Sequence, residues 1–346
     1  MIKWSSDRVK ERPKNLQARR IARMAAAFAV MITLITDHST TRPLLYAASS
    51  NVGTSGAQFL KIPPGARPAG MGSAFSAVAD DVHAIYYNPA GLAAVSQVQL
   101  TGMHNSYFQG LNYEFAAIAL PLSRFGWDGD TEDSGKGTLG LAVYNLSVSG
   151  IERRGNAETA APLGTFGADD FAYALSYARG SERFAWGANL KFIQQTIDSV
   201  KAGTLAADLG ALYGAGENLK LGAGVRHLGG KPKFRQESDP LPMLGFLAAS
   251  YRLAPGAQDS LTLGLDLLLP RDNRLTYNVG SEYLHRFASM EGALRAGYSS
   301  QNADADGLAG FSMGGGLGFR NVGFDFAWVP FGDLGDTFRY SLIVKF

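Results

Sequence analysis

From Gln97 to the last residue, apolar and polar positions alternate with period two in segments of about ten residues, the pattern of strands with two different faces. Leu261, Leu263, Leu265 and Leu267 share one face, with Thr262, Gly264 and Asp266 on the other. Leu219, Leu221, Ala223 and Val225 oppose Lys220, Gly222, Gly224 and Arg226. Val322, Phe324, Phe326 and Trp328 oppose Gly323, Asp325 and Ala327. Fourteen such segments are predicted, at 97–107, 111–122, 136–149, 169–180, 183–198, 203–216, 218–228, 241–254, 259–269, 273–286, 289–301, 306–320, 321–330 and 336–346. Turn signals separate them, among them Gly214–Asn218, Ala254–Asp259 and Pro270–Asn273. Longer polar stretches at 123–136, 150–168 and 229–240 read as external loops.

Alternation by itself also fits a soluble sandwich. Three features point instead to a transmembrane barrel. The second face is small and glycine-rich with isolated charges, as a crowded lumen requires. Aromatic residues gather towards the ends of the apolar faces, where an interfacial girdle stands. Strands facing lipid must pair all their backbone groups, which forces closure. The fold class expected is therefore all-β, a 14-stranded antiparallel transmembrane barrel, an even number that suits a bacterial barrel. The last strand ends on Phe338, Tyr340, Leu342, Val344 and Phe346 on one face, a terminal pattern that resembles the insertion signal of outer-membrane barrels.

The chain of 346 residues is 46% hydrophobic and 18% charged, with 42 glycines and no cysteine, so no disulfide or thiolate metal site is available. Nine of its 32 basic and three of its 30 acidic residues lie in 1–48, which leaves 23 and 27 for the remainder. The small net positive charge thus belongs to the leader and gives no ground for nucleic-acid binding. Arg19, Arg20 and Arg23 precede the apolar run Met24–Ile35, too short to span a bilayer comfortably. With small residues near Tyr46–Ser50, this reads as a secretory signal cleaved near Ala48; a membrane-anchoring helix and a start codon placed too early are the alternatives.

Ala79–Ala93, ADDVHAIYYNPAGLA, fits neither a strand nor an ordinary helix. Asp80 or Asp81 is placed to cap a short helix through Val82–Tyr87. Asn88 is placed to cap a second turn with Pro89 at its first position, and Gly91 to end it with a positive φ. Tyr86 and Tyr87 offer apolar bodies for packing and hydroxyls for the wall. A barrel of this size leaves a lumen that wall side chains need not fill, so the segment reads as a plug.

The stretch Gly53–Ala93 resembles the N-terminal signature of the PorV/PorQ family, within the FadL-like group of outer-membrane barrels. The shared elements are Gln58–Leu60, Gly65–Arg67, Gly70–Gly72, Ala79–Asp81 and Asn88–Leu92; Met103–Phe115 resembles the family's first hairpin. The resemblance implies residues 1–48 as leader, 49–96 as hatch and 97–346 as barrel. It implies hatch residues Gly70, Gly72, Asp80, Asp81, Tyr86, Tyr87, Asn88, Pro89, Ala90 and Gly91. It further implies an outer-membrane location, after leader cleavage, in a Gram-negative-type bacterium, and the barrel assembly machinery and outer-membrane lipid as partners. Its function would be passive passage of a hydrophobic small molecule such as a long-chain fatty acid, or a PorV-like role beside type IX secretion proteins. No loop here is long enough to be an obvious cargo lid.

The remaining chemistry is sparse. Gly70–Phe75 and Ser312–Phe319 resemble nucleotide loops but lack the lysine of a phosphate loop. Asp128–Asp133 and Asp304–Gly307 are acidic loop tips, able to bind calcium or simply solvated. His83, His227 and His285 are scattered without metal-ligand spacing, so neither metal nor cofactor is expected. His104 and Ser106 share a face of the first strand, but a triad needs a third group to orient its base, and the sequence identifies none; no enzymatic activity is expected. Lys191, Asp208, Arg226, Arg252, Asp266, Glu282, Glu291, Arg295 and Asp325 are expected to face the lumen, bracing wall against plug or setting selectivity.

Overall fold

The computed structural model describes residues 52–126, 136–156, 160–302 and 307–346. The expected leader 1–48, with its expected cleavage near Ala48, and the acidic tips Asp128–Asp133 and Asp304–Asp306 lie outside the described residues. Fourteen strands close into one antiparallel barrel. In chain order they are β1 (Gln99–Ser106), β2 (Asn112–Pro121), β3 (Lys136–Arg153), β4 (Gly164–Gly180), β5 (Phe184–Ile197), β6 (Val200–Gly214) and β7 (Leu219–Gly229). After a short hairpin of β8 (Lys233–Phe234) and β9 (Glu237–Ser238) come β10 (Leu244–Leu253), β11 (Asp259–Pro270), β12 (Thr276–Arg286) and β13 (Met290–Ser299). β14 (Phe311–Phe319), β15 (Val322–Pro330) and β16 (Asp336–Lys345) complete the wall. Closure is made by β1 against β16, in register from Gln99↔Lys345 to Ser106↔Phe338.

The alternation sorts as expected. On β16 Thr337, Arg339, Ser341 and Ile343 turn inward, while Phe338, Tyr340 and Leu342 stand outside. The exterior is apolar: Leu141, Leu175, Leu190, Leu294, Met313 and Leu317 are each about half exposed or more. Aromatic pairs mark both ends, Tyr177 with Trp186 at one and Phe326 with Phe338 at the other. Among the described residues no second layer covers this exterior and no helix is long and apolar enough to cross a bilayer; the apolar outer face of the strands has the character of a lipid-facing surface.

Two loop expectations change. Both ends of 150–168 are strand, because β3 continues to Arg153 and β4 starts at Gly164, across a register shift between Val148 and Ile151. Strand parity also places the β2–β3 connection at the rim where β1 begins and β16 ends, the near rim. The connections after β3 and β7 lie at the opposite, far rim, so 123–136 does not belong with 150–168 and 229–240.

Residues 55–98 run through the interior. The main hydrophobic core of the molecule sits here, between Phe59, Phe75, Ile85, Tyr87 and Leu92 of this segment and Tyr113, Phe115, Tyr144 and Ile193 of the wall. Regular structure is slight: a helix α1 (Ala66–Gly70), a helix α2 (Ala84–Tyr87), and 3-10 turns at Gln58–Lys61 and Pro89–Ala94. The segment starts near the far rim, where Gly56 N donates to Pro240 O at 2.9 Å and Lys61 Nζ reaches Asp272 at 2.7 Å. It ends near the near rim, where Val82 N donates to Gln99 Oε1 at 2.9 Å before the chain enters β1.

Candidate functional site

An irregular segment has no ladder of its own, so its buried N–H and C=O groups need partners. The wall supplies them. Ser341 Oγ accepts from Ala66 N at 2.8 Å, Ser312 Oγ from Gly72 N at 3.0 Å, and Asp266 Oδ2 from Ser76 N at 3.0 Å. Ser250 Oγ donates to Ala77 O at 2.9 Å, Asn189 Nδ2 to Ile85 O at 2.6 Å, and Arg339 Nη1 to Pro63 O at 2.7 Å. The polar positions of the inward face are thus receptors for one particular backbone path.

The glycines of the same face have a related cause. A Cβ at Gly280 would overlap Met71 O, one at Gly297 would overlap Gly72, and one at Gly187 would overlap Pro89. Gly70 lies against Gly314, and Gly72 combines a φ of +62° with close approach to the Tyr298 backbone. The small, glycine-rich face anticipated as that of a crowded lumen is therefore a set of notches into which backbone is pressed.

The Asn-Pro-Ala-Gly turn forms much as its residues suggest. Asn88 is fully buried; its Oδ1 accepts from Ala90 N at 3.2 Å, with Pro89 at the first position of the turn. Its Nδ2 also donates to Ser76 O at 2.9 Å and to Ala211 O of β6 at 3.1 Å, so one amide joins two parts of the segment to the wall. Ala90 is completely buried beside it. Gly91 differs from expectation: it is not among the positive-φ residues, and it is small because a Cβ would meet Ala79 O. The helix cap also differs. Asp81 Oδ1 accepts from His83 N at 2.8 Å and pairs with His83 Nδ1 at 2.9 Å, so it holds a turn ahead of a helix that starts only at Ala84. The tyrosine hydroxyls turn away from the wall: Tyr86 donates to Leu60 O at 3.0 Å and Tyr87 to Pro64 O at 3.1 Å, tying the segment to itself. Burial pushes the Tyr86 phenol up to about 12, which keeps it a donor.

Two charged clusters fasten the segment. In the first, Arg67 contacts Asp80 at 2.7 Å, Asp81 at 2.6 Å and Glu282 at 2.8 Å, while its guanidinium lies 5.1 Å from the Phe75 ring centroid. Glu282 continues to Arg295 at 2.7 Å, Arg295 to Asp325 at 2.7 Å, and Asp80 to Arg252 at 3.1 Å. Burial opposes ionisation of Asp81, but His83 and Arg67 outweigh it and hold the carboxyl well below the usual carboxylate range. Glu291 lines the near-rim cavity beside this cluster, 3.7 Å from Arg286.

The second cluster sits on a bulge. Between the pairs Ala207↔Leu228 and Leu209↔Val225, Arg226 and His227 together face Asp208, and His227 has a φ of +60°. Both side chains are consequently buried from adjacent positions. Asp208 accepts from His227 N at 2.8 Å and Asn189 Nδ2 at 2.8 Å and pairs with Lys191, while Arg226 lies 5.2 Å from the Tyr86 ring and 5.1 Å from that of Phe246.

Of the nine charges expected in the lumen, Lys191, Asp208, Arg226, Asp266, Glu282, Arg295 and Asp325 are buried, while the more exposed Arg252 reaches Asp80 and Glu291 lines the near-rim cavity. Arg67, Asn189, His227, Arg339 and the wall serines escaped the sequence reading as site residues. Arg67 had a signal in its glycine-rich motif; His227 had none, because alternation places it outside.

Comparison with known proteins agrees with this architecture. A family model described as "Uncharacterised protein family (UPF0164)" matches residues 43–131. No curated protein matches the chain. Among solved structures, the toluene transporter TbuX of Ralstonia pickettii aligns with a TM-score of 0.51 at 12% identity, covering 82% of this chain and 97% of its own. The monoaromatic hydrocarbon channel CymD aligns at 0.53 and 12% identity, with coverage of 82% and 97%. A FadL homologue of Pseudomonas aeruginosa aligns at 0.48 and 11% identity, covering 87% and 99%. The molecule is a closed 14-stranded antiparallel β-barrel, and it shares that fold with TbuX and CymD.

Proposed function

We propose that this protein is an outer-membrane channel for passive passage of a hydrophobic small molecule, with residues 55–98 as its plug. One observation carries the reading. A cavity of about 550 Å³ at the near rim, lined by Arg67, Asp80, Glu282 and Arg295, lies on one side of the segment. A cavity of about 140 Å³ at the far rim, lined by Lys61, Tyr87, Leu268 and Asn278, lies on the other. The segment between them is held by hydrogen bonds, ion pairs and backbone notches at its edges, attachments that can be exchanged without unfolding the wall. Passage needs that segment to shift and requires no bond-making chemistry in the lumen. The likeness in fold to a toluene transporter and a monoaromatic hydrocarbon channel supports the solute class. The near rim, with mostly short turns, is the periplasmic side in this reading.

Deleting residues 70–92 tests it. In planar bilayers the intact protein is expected to be nearly closed and the deletion to show a stable open level, with both migrating as heat-modifiable barrels. Toluene and oleate uptake by liposomes should rise in parallel. A folded deletion variant that conducts no more than the intact protein removes the plug. The PorV/PorQ resemblance of Gly53–Ala93 sets the other outcome: co-purified secretion proteins with unchanged conductance would assign the barrel to secretion.

A further inference from the structure

The strand β1 carries an arrangement on its outer face that passage does not use. His104 Nδ1 lies 2.6 Å from Glu114 Oε1, and His104 Nε2 lies 3.1 Å from Ser106 Oγ. Glu114, directly opposite His104 on β2, is the third group that the sequence did not identify. Asn112 stands directly opposite Ser106, and its Nδ2 reaches Gly110 O at 3.5 Å, a bond long enough to give up. Two cross-strand pairs that neighbour each other on this face thus bring a hydroxyl, an imidazole, a carboxylate and a carboxamide together on a mostly apolar exterior, with Asn145 of β3 opposite Glu114.

We propose that Ser106, His104 and Glu114 form a serine acyl-hydrolase site on the outside of the barrel, acting on the ester of a membrane glycerolipid. The surroundings select that substrate. The triad lies at the far-rim end of β1, level with the aromatic residues Tyr340 and Phe338 of β16, the height at which lipid esters meet the interface. From His104 and Glu114 a groove of about 540 Å³ runs towards mid-barrel over Gly102 and Ala116, between Val143 and Leu342. Its small floor and apolar sides fit an acyl chain lying along the wall, with its carbonyl at Ser106.

The steps balance without any added cofactor. Ser106 Oγ attacks the carbonyl carbon as its proton passes to His104 Nε2. His104 gives that proton to the leaving alkoxide of the lysolipid, and an acyl-serine ester remains. Water then attacks the ester, losing a proton to His104, which returns it to Ser106 as the fatty acid leaves. Glu114 acts through His104 as a positioning residue, fixing the tautomer and stabilising the imidazolium. Asn112 Nδ2 is the side-chain donor nearest in register for the developing oxyanion.

This inference rests on the outer face lying in lipid and is independent of the plug, so conductance and hydrolysis fail separately. The full chain is tested in mixed micelles of dioleoylphosphatidylethanolamine by measuring oleate release, with a fluorophosphonate probe mapped by peptide mass spectrometry. Intact protein should release oleate and carry the label on Ser106. Ser106→Ala and His104→Ala should each lower kcat by about 10³-fold or more. Glu114→Gln should lower kcat while KM stays unchanged, a split that mere loss of folding would not give. Heat-modifiable migration shows that each variant is a closed barrel. If the intact barrel releases no more oleate than Ser106→Ala, the site is a polar contact of the membrane interface and the proposal is overturned.

Discussion

At the scale of single residues, Asn88 shows what a short motif conveys. Sequence places it as a turn cap, a role worth about 1 kcal/mol. Its two further bonds, to Ser76 O and Ala211 O, appear only when the segment is inside the wall. Asn88→Ala removes all three and leaves buried partners unsatisfied, which raises the expected cost to about 2–4 kcal/mol. Single-channel recordings should show this variant flickering between closed and open levels while the barrel stays assembled; a steadily closed trace would contradict it. Asp81 adds a dependence on pH. Its folded carboxyl is depressed by His83 and Arg67, so its stabilisation is complete above the ordinary aspartate value of about 3.9 and is lost as pH falls below it. Conductance of the intact protein should rise as pH drops from about 4 towards 2. Asp81→Asn should abolish that step and conduct at neutral pH.

At the scale of elements, strands were legible because period two is a local property of the chain. All fourteen barrel strands fall where alternation places them, with ends shifted by a few residues. The β3–β4 hairpin was underestimated because beyond Val148 a register shift breaks the alternation. The bulge on β7 was invisible, since His227 needs Asp208 across the strand gap to hold its left-handed conformation. The glycines separate two kinds of small residue. Gly280→Val places a side chain where Met71 O lies and should displace the segment, raising conductance; Gly315→Val, whose Cβ would meet nothing closer than 3.8 Å, should not. Equal conductance in both variants would show that the notches do not hold the segment.

At the scale of the whole molecule, closure of β1 on β16 decides the contacts of Phe346. Phe346 completes the outward face of β16, its N–H donates to Val98 O at 2.9 Å, and its carbonyl oxygen accepts from Arg124 at 2.8 Å. Removing Phe346 should reduce the yield of heat-modifiable barrel in the outer membrane more than it alters the melting of barrels that do form; a normal yield would remove the terminal signal. The sequence by itself determined the barrel, its strand number, its inside and outside, and the irregular segment before it. All of these follow from periodicity and from turn and cap chemistry, which neighbouring residues set among themselves. Only the tertiary structure decided which carboxylate pairs with Arg67, which wall serine receives which backbone group, and that Glu114 completes the arrangement around His104. Those contacts join residues 10 to more than 270 positions apart, and strand register and closure, rather than any local preference, bring them within hydrogen-bonding distance.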